Sequence, residues 1–120
     1  MILVVDHDQE VLNQAATILN RTRQVFLASS GKRALELIEE LKDFSVVLVD
    51  LDLPDAYALI EKLHDGHPDL LIIATHGAMK SSIRNATEMP GVIAMLQKPI
   101  TPDWKPVVER VRAIRSRRSS

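Results

Sequence analysis

The chain has no cysteine, and aromatic residues make up only 3% of its 120 residues. The first absence excludes a disulfide scaffold, a thiolate zinc site and a cysteine nucleophile, and it fits a cytoplasmic protein. The second argues against recognition of bases by stacking on aromatic side chains. No apolar run approaches the roughly 18–20 residues needed to cross a bilayer, which excludes a transmembrane protein. The N-terminal stretch Met1-Ile2-Leu3-Val4-Val5-Asp6 has neither the basic flank nor the small-residue cleavage site of a signal peptide. Internal repeats are absent, and low complexity is confined to an Arg/Ser tail.

What is present is ordinary for one globular domain: 46% apolar and 26% charged residues in 120 positions. The formal net charge of -1 hides a split. Residues 1–102 carry 9 basic and 14 acidic side chains, a balance of -5, whereas residues 103–120 carry 6 basic and 2 acidic, a balance of +4. The acidic body argues against direct nucleic-acid binding by the domain. The basic end (Lys105, Arg110, Arg112, Arg115, Arg117, Arg118) reads as a solvated helix face with a frayed terminus, or as a linker or anion-binding tail. The expected organisation is a single domain over residues 1–118, with the basic tail at 115–120 as the start of a linker.

Apolar residues alternate between short runs and helical stripes. Ile2–Val5, Gln24–Ala28, Val46–Val49, Leu70–Ala74 and Val92–Leu96 are runs rich in Val, Ile and Leu, of the kind that forms strands buried on both faces. Between them, helical spacing relates Val11, Ala15, Ile18 and Leu19; then Ala34, Leu37, Ile38 and Leu41 after a Ser30 cap; then Leu59, Ile60 and Leu63 before Gly66. Residues 78–89 make a poor fourth stripe, with Met79, Ile83 and Ala86. Trp104, Val107, Val108, Val111 and Ile114 make a fifth, with Asp103 as cap and Pro106 at the third helical position, where a missing N–H costs little. Strand and helix thus alternate five times. The expected fold is α/β: a five-stranded parallel sheet with helices on both faces, a (βα)5 flavodoxin-like three-layer sandwich.

In such sheets ligands bind beyond the carboxyl ends of the strands. Those ends carry Asp6-His7-Asp8, Asp50-Leu51-Asp52, Thr75 and Lys98. Carboxylates brought together repel and need a cation, and hard oxygen donors of this kind suit magnesium. A carboxylate can also attack phosphorus, while a lysine and a hydroxyl can hold phosphoryl oxygens. The residues alone therefore point to a metal-assisted phosphoryl-acceptor site.

Over residues 1–115 the layout resembles a response-regulator receiver domain, the module that takes a phosphoryl group from a sensor histidine kinase. The matching stretches are Ile2-Leu3-Val4-Val5-Asp6, Val47-Leu48-Val49-Asp50-Leu51-Asp52-Leu53-Pro54, Ile72-Ile73-Ala74-Thr75 and Lys98-Pro99. The resemblance implies that Asp50 is the phospho-acceptor and that Asp6 belongs to the acidic pair that holds Mg2+. It further implies that Asp52 offers its backbone carbonyl to the ion, that Thr75 is the switch hydroxyl, and that Lys98 contacts the phosphoryl group across a cis Lys98–Pro99 bond. Function would be phosphorelay signalling, with at most self-phosphorylation and self-dephosphorylation and no enzyme activity beyond that. Implied partners are a sensor histidine kinase or phosphotransfer protein, a second copy through the face of the fourth helix, fifth strand and fifth helix, and a C-terminal output domain.

Three positions depart from the family pattern. His7 stands where a second metal-binding carboxylate is usual, and imidazole is a poorer magnesium ligand. His7 is either a site member or a bystander at the rim, and Asp8, one residue later, is the other candidate. Met95 replaces the usual aromatic switch residue. His76 follows Thr75 where a small residue is usual, which predicts narrowed access. These departures keep open a second function, a degenerate receiver that binds partners without phosphorylation. A third reading, a phosphohydrolase, comes from the similarity of Asp50-Leu51-Asp52 to the Asp-x-Asp motif of haloacid-dehalogenase enzymes. That motif normally follows the first strand, not the third, and this chain has no room for a cap. His64 and His67 read as exposed loop residues, and Met79, Met89 and Met95 as packing.

Overall fold

A computed structural model describes residues 1–19, 24–77 and 88–119, with side chains up to residue 114. Five strands, β1 (Ile2–Val5), β2 (Val25–Ala28), β3 (Val46–Asp50), β4 (Leu71–His76) and β5 (Val92–Gln97), form one sheet in the order β2-β1-β3-β4-β5. Every pairing is parallel. The described helices are α1 (Gln9–Leu19), α2 (Gly31–Leu41), α3 (Ala56–Gly66) and the C-terminal α4 (Trp104–Ser119). The helical stripe expected around Met79, Ile83 and Ala86 lies outside the described residues.

The Val/Ile/Leu runs become strands because both faces of the sheet are covered. β1, β3 and β4 are buried throughout, and the edge strands β2 and β5 only in part. Strand alternation sends Leu3, Val5, Val47, Val49 and Ile72 to one side, where they pack with Ala34, Leu37 and Ile38 of α2 and Leu59, Ile60 and Leu63 of α3. Ile2, Val4, Val46, Leu48, Leu71 and Ile73 face the other side, against Leu12, Ala15 and Leu19 of α1 and Trp104, Val108 and Val111 of α4. The result is the expected three-layer α/β sandwich. At about 25 cal/mol per Å2 of apolar surface removed from water, these two layers supply the main stabilising term.

The ends of the stripes are looser than their spacing suggests. Leu41 and Ile114 are both 39% exposed, so each sits at the margin of its stripe rather than in the core. Ser30 caps α2 as expected, its Oγ accepting from the Arg33 N–H at 3.1 Å. α3 ends at Gly66, but the left-handed cap geometry is found after α2, at Lys42 (φ 57°), whose N–H donates to the Ile38 carbonyl.

Candidate functional site

The chain leaves β1 and β3 at the point where strand order reverses direction, and a crevice opens there at the carboxyl edge. The register fixes what lines it. Val5 pairs with Val49, and Asp50 pairs with Thr75. Val4, Leu48 and Ile73 share the α1/α4 side of the sheet, and Leu96 packs against the same cluster. Two residues further along each segment stand Asp6, Asp50, Thr75 and Lys98. Period-two alternation therefore carries four polar residues, scattered over 92 positions, to one edge of one face.

The contacts are short. Lys98 Nζ donates to Asp6 Oδ2 and to Asp50 Oδ1, each at 3.1 Å, and lies 3.9 Å from Asp52 Oδ2. Asp50 Oδ1 also accepts the Asp52 N–H at 2.9 Å, and Asp6 Oδ1 accepts the Asp8 N–H at 2.9 Å. The remaining oxygen, Asp50 Oδ2, is 2.8 Å from His7 Nδ1, which is 3.7 Å from Asp6 Oδ1. Asp6, Asp50 and Thr75 are buried, whereas the His7 side chain is 57% exposed and forms the outer wall. Lys98–Pro99 is cis.

This arrangement splits the two aspartates. Burial pushes the Asp50 carboxyl up, but the Asp52 amide, the Lys98 ammonium and the His7 ring outweigh it, so the carboxyl sits below its usual range. At Asp6 burial prevails, aided by the Asp50 charge against the Asp8 amide and Lys98, and the carboxyl sits above its usual range. Burial disfavours the Lys98 ammonium, yet its hydrogen bonds to Asp6 and Asp50 and their charges raise it overall. Of the two carboxyls, Asp50 is therefore the more readily ionised.

Of the residues singled out in the sequence, Asp6, Asp50, Lys98 and His7 meet directly, and Thr75 flanks them in register. Asp52 follows with its amide bonded to Asp50. Asp8 turns away. Its Oδ1 accepts the Glu10 N–H at 2.9 Å and its carbonyl accepts the Leu12 N–H, so it caps α1. His76 is buried on β4 with Nδ1 lacking a hydrogen-bond partner among the described residues, and alternation places it on the face opposite Thr75. Met95 is half-buried on β5, and His64 and His67 are also half-buried rather than fully exposed.

Asp6, His7 and Asp50 form a set whose donor atoms all lie within 4.8 Å of one another. Its two carboxylates suit a hard dication. Its third member, a nitrogen donor without formal negative charge, does not, and the set as a whole fits magnesium poorly.

The sequence matches the response regulator receiver domain family over residues 2–105, and the chain belongs to that family. It is 28% identical over 104 residues to the sensor kinase CckA of Brucella abortus, a match covering 84% of this chain and 11% of that protein. A CheY-like receiver domain protein from Methanospirillum hungatei superposes with a TM-score of 0.88 at 26% identity, covering 98% of this chain and 96% of the other. NtrX of Brucella abortus gives 0.86 at 25% identity, over 98% of this chain and 28% of NtrX. The chain is thus a receiver domain of two-component signalling. Receiver domains as a class are signalling modules rather than enzymes, and they generally bind magnesium through acidic residues. Among the described residues no helix is long and apolar enough to cross a membrane.

Proposed function

We propose that the chain accepts a phosphoryl group on Asp50 within a cytoplasmic phosphorelay. The observation that carries this reading is the buried Asp50 carboxylate, kept ionised by Lys98 at 3.1 Å while its Oδ2 points to the exposed rim. A sensor histidine kinase or a phosphotransfer protein supplies the donor phosphohistidine. Asp50 Oδ2 attacks phosphorus in line, the new P–O bond forms as the P–N bond breaks, and the departing imidazole takes a proton from solvent. Lys98 offsets the negative charge on the phosphoryl oxygens. Asp6 and Asp50 are the side chains that would hold a dication, with Asp52 supplying its backbone carbonyl. Thr75 follows the phosphoryl group and passes the change to the surface that includes β5 and α4.

Several features support the partner side of this reading. A groove of about 370 Å3 lined by Asp8, Glu10, Val11, Gln14, Lys98 and Pro99 gives a donor protein a path to the rim. Ile93 on β5, 42% exposed, and Ile114 on α4 leave apolar surface for a second copy. The match to only 28% of NtrX is consistent with a C-terminal output domain.

The bond from His7 Nδ1 to Asp50 Oδ2 favours a second reading, a degenerate receiver that binds partners unphosphorylated, because it engages the attacking oxygen. Incubation with acetyl phosphate and a divalent salt, followed by intact-mass and peptide mass spectrometry, separates the two. A phosphoryl adduct in the wild type that is lost in Asp50→Asn supports the acceptor. No adduct in the wild type, with one gained in His7→Asp, supports the degenerate receiver.

A further inference from the structure

The third donor at the rim is an imidazole, and this changes which cation the rim suits. We propose that Asp6 Oδ1, His7 Nδ1 and Asp50 Oδ2 form a site for a borderline first-row transition dication, of the class of Co2+ or Zn2+, in preference to magnesium. The proposal deepens the phospho-acceptor reading and rests on it only for the ion's place beside Asp50.

Two features of the geometry carry it. The carboxylate oxygens divide their work: Asp6 Oδ2 and Asp50 Oδ1 face the Lys98 ammonium, while Asp6 Oδ1 and Asp50 Oδ2 face His7. An ion on the His7 side therefore need not displace Lys98. The spacing also matches coordination. With metal–ligand bonds near 2.1 Å, neighbouring ligands on an octahedral ion are about 3.0 Å apart and on a tetrahedral ion about 3.4 Å. His7 Nδ1 is 2.8 Å from Asp50 Oδ2 and 3.7 Å from Asp6 Oδ1, separations on either side of those values, and all three donor atoms lie within 4.8 Å of one another, so small side-chain shifts close the set on one ion.

Charge then selects the metal. Asp6, Asp50 and Lys98 together carry one net negative charge when all are ionised. A third carboxylate would add another, and a hard ion such as magnesium depends on that charge. Imidazole adds none, but it donates a nitrogen lone pair that cobalt and zinc bind well and magnesium binds poorly. The exchange balances simply. The neutral ring passes its Nδ1 proton through solvent to Nε2, the Nδ1–H···Oδ2 bond is lost, and the freed Nδ1 lone pair and Oδ2 both bond the ion. Because His7 is 57% exposed, its outer side leaves coordination positions for water or phosphoryl oxygens.

The test uses the full chain, stripped of metal by chelator, with no phosphoryl donor present. Wild type, His7→Asp, His7→Ala and a His64→Gln/His67→Gln control are titrated with Mg2+ and Co2+ by calorimetry, with ring 1H–15N spectra recorded beside the Co2+ titration. The expected result is one Co2+ site that perturbs the His7 ring and persists in the control. In His7→Asp the ratio of Co2+ to Mg2+ affinity falls at least about ten-fold, and in His7→Ala Co2+ affinity falls by a similar factor with no gain for Mg2+. An unchanged ratio in His7→Asp overturns the proposal, as does Co2+ perturbing His64 or His67 in place of His7. An adduct on Asp50 in the separate acetyl phosphate experiment leaves the acceptor reading standing whichever way the metal result falls.

Discussion

Lys98 Nζ lies 3.1 Å from Asp50 Oδ1, a contact between residues 48 positions apart that closes the sheet's carboxyl edge. The ammonium is largely buried and the carboxylate wholly so. Removing one member strands the other in a low-dielectric setting. Lys98→Met is expected to destabilise the fold by about 2–4 kcal/mol at neutral pH, since it leaves both Asp6 and Asp50 without their cation. Urea unfolding measures this. In Lys98→Met/Asp50→Asn the loss should be clearly smaller than the sum of the single losses; simple additivity would mean that the contact carries no coupling.

Asp6 and Asp50 are expected to respond unequally to neutralisation. The Asp50 carboxyl is depressed in the folded state, so its stabilisation is present above the ordinary value of 3.8 and lost as pH falls through the lower folded value. The Asp6 carboxyl is raised, so stability is lost as pH climbs from 3.8 through the higher folded value. At pH 7, Asp50→Asn should therefore lose more stability than Asp6→Asn, since only the Asp50 charge is favoured by the folded state. Urea midpoints measured across the acid range should show the gap between the two variants closing as pH falls below 3.8. An Asp6→Asn loss at pH 7 larger than that of Asp50→Asn would contradict the opposite displacement of the two carboxyls.

Lys42 holds a left-handed conformation, φ 57°, at the end of α2. Only glycine adopts this region without a Cβ penalty. Lys42→Gly keeps the N–H bond to the Ile38 carbonyl and should raise stability by up to about 1 kcal/mol, read from thermal or urea unfolding. Lys42→Val should lower it, because branching at Cβ tightens the same clash.

These effects differ in how visible they are in the sequence. The strands could be read because Val46–Val49 and Leu71–Ala74 are continuous runs of residues that suit burial on both faces. The meeting of Asp6, Asp50, Thr75 and Lys98 could be read because the first three directly follow such a run and Lys98 comes shortly after one, and a parallel register then does the rest. Other features depend on contacts that no local pattern encodes. The turn after β1 decides that His7, not Asp8, reaches Asp50. Burial of His76 at the end of β4 is not signalled by any local pattern. Lys42 gives no local sign of a left-handed cap, since glycine is the usual marker. The opposite displacement of the two aspartates arises only once Lys98, the two amides and the His7 ring are in place.

Asp8 offers the sharpest separation of structural from site roles at the rim. Its carboxylate accepts the Glu10 N–H at 2.9 Å, and its own N–H donates to Asp6 Oδ1. Asp8→Ala removes the first contact and keeps the second, because the backbone amide is unchanged. Loss of this cap should cost about 1 kcal/mol of stability, in the usual range for removing a capping side chain. Asp8→Asn, which can still accept the bond, should recover most of it. Affinity for a divalent ion should stay within a factor of about two of wild type in both variants, since Asp8 supplies no donor to the Asp6–His7–Asp50 set. Calorimetric titration of the two variants checks this: a large loss of ion affinity in Asp8→Ala that Asp8→Asn does not repair would make Asp8 a ligand and displace His7 from that role.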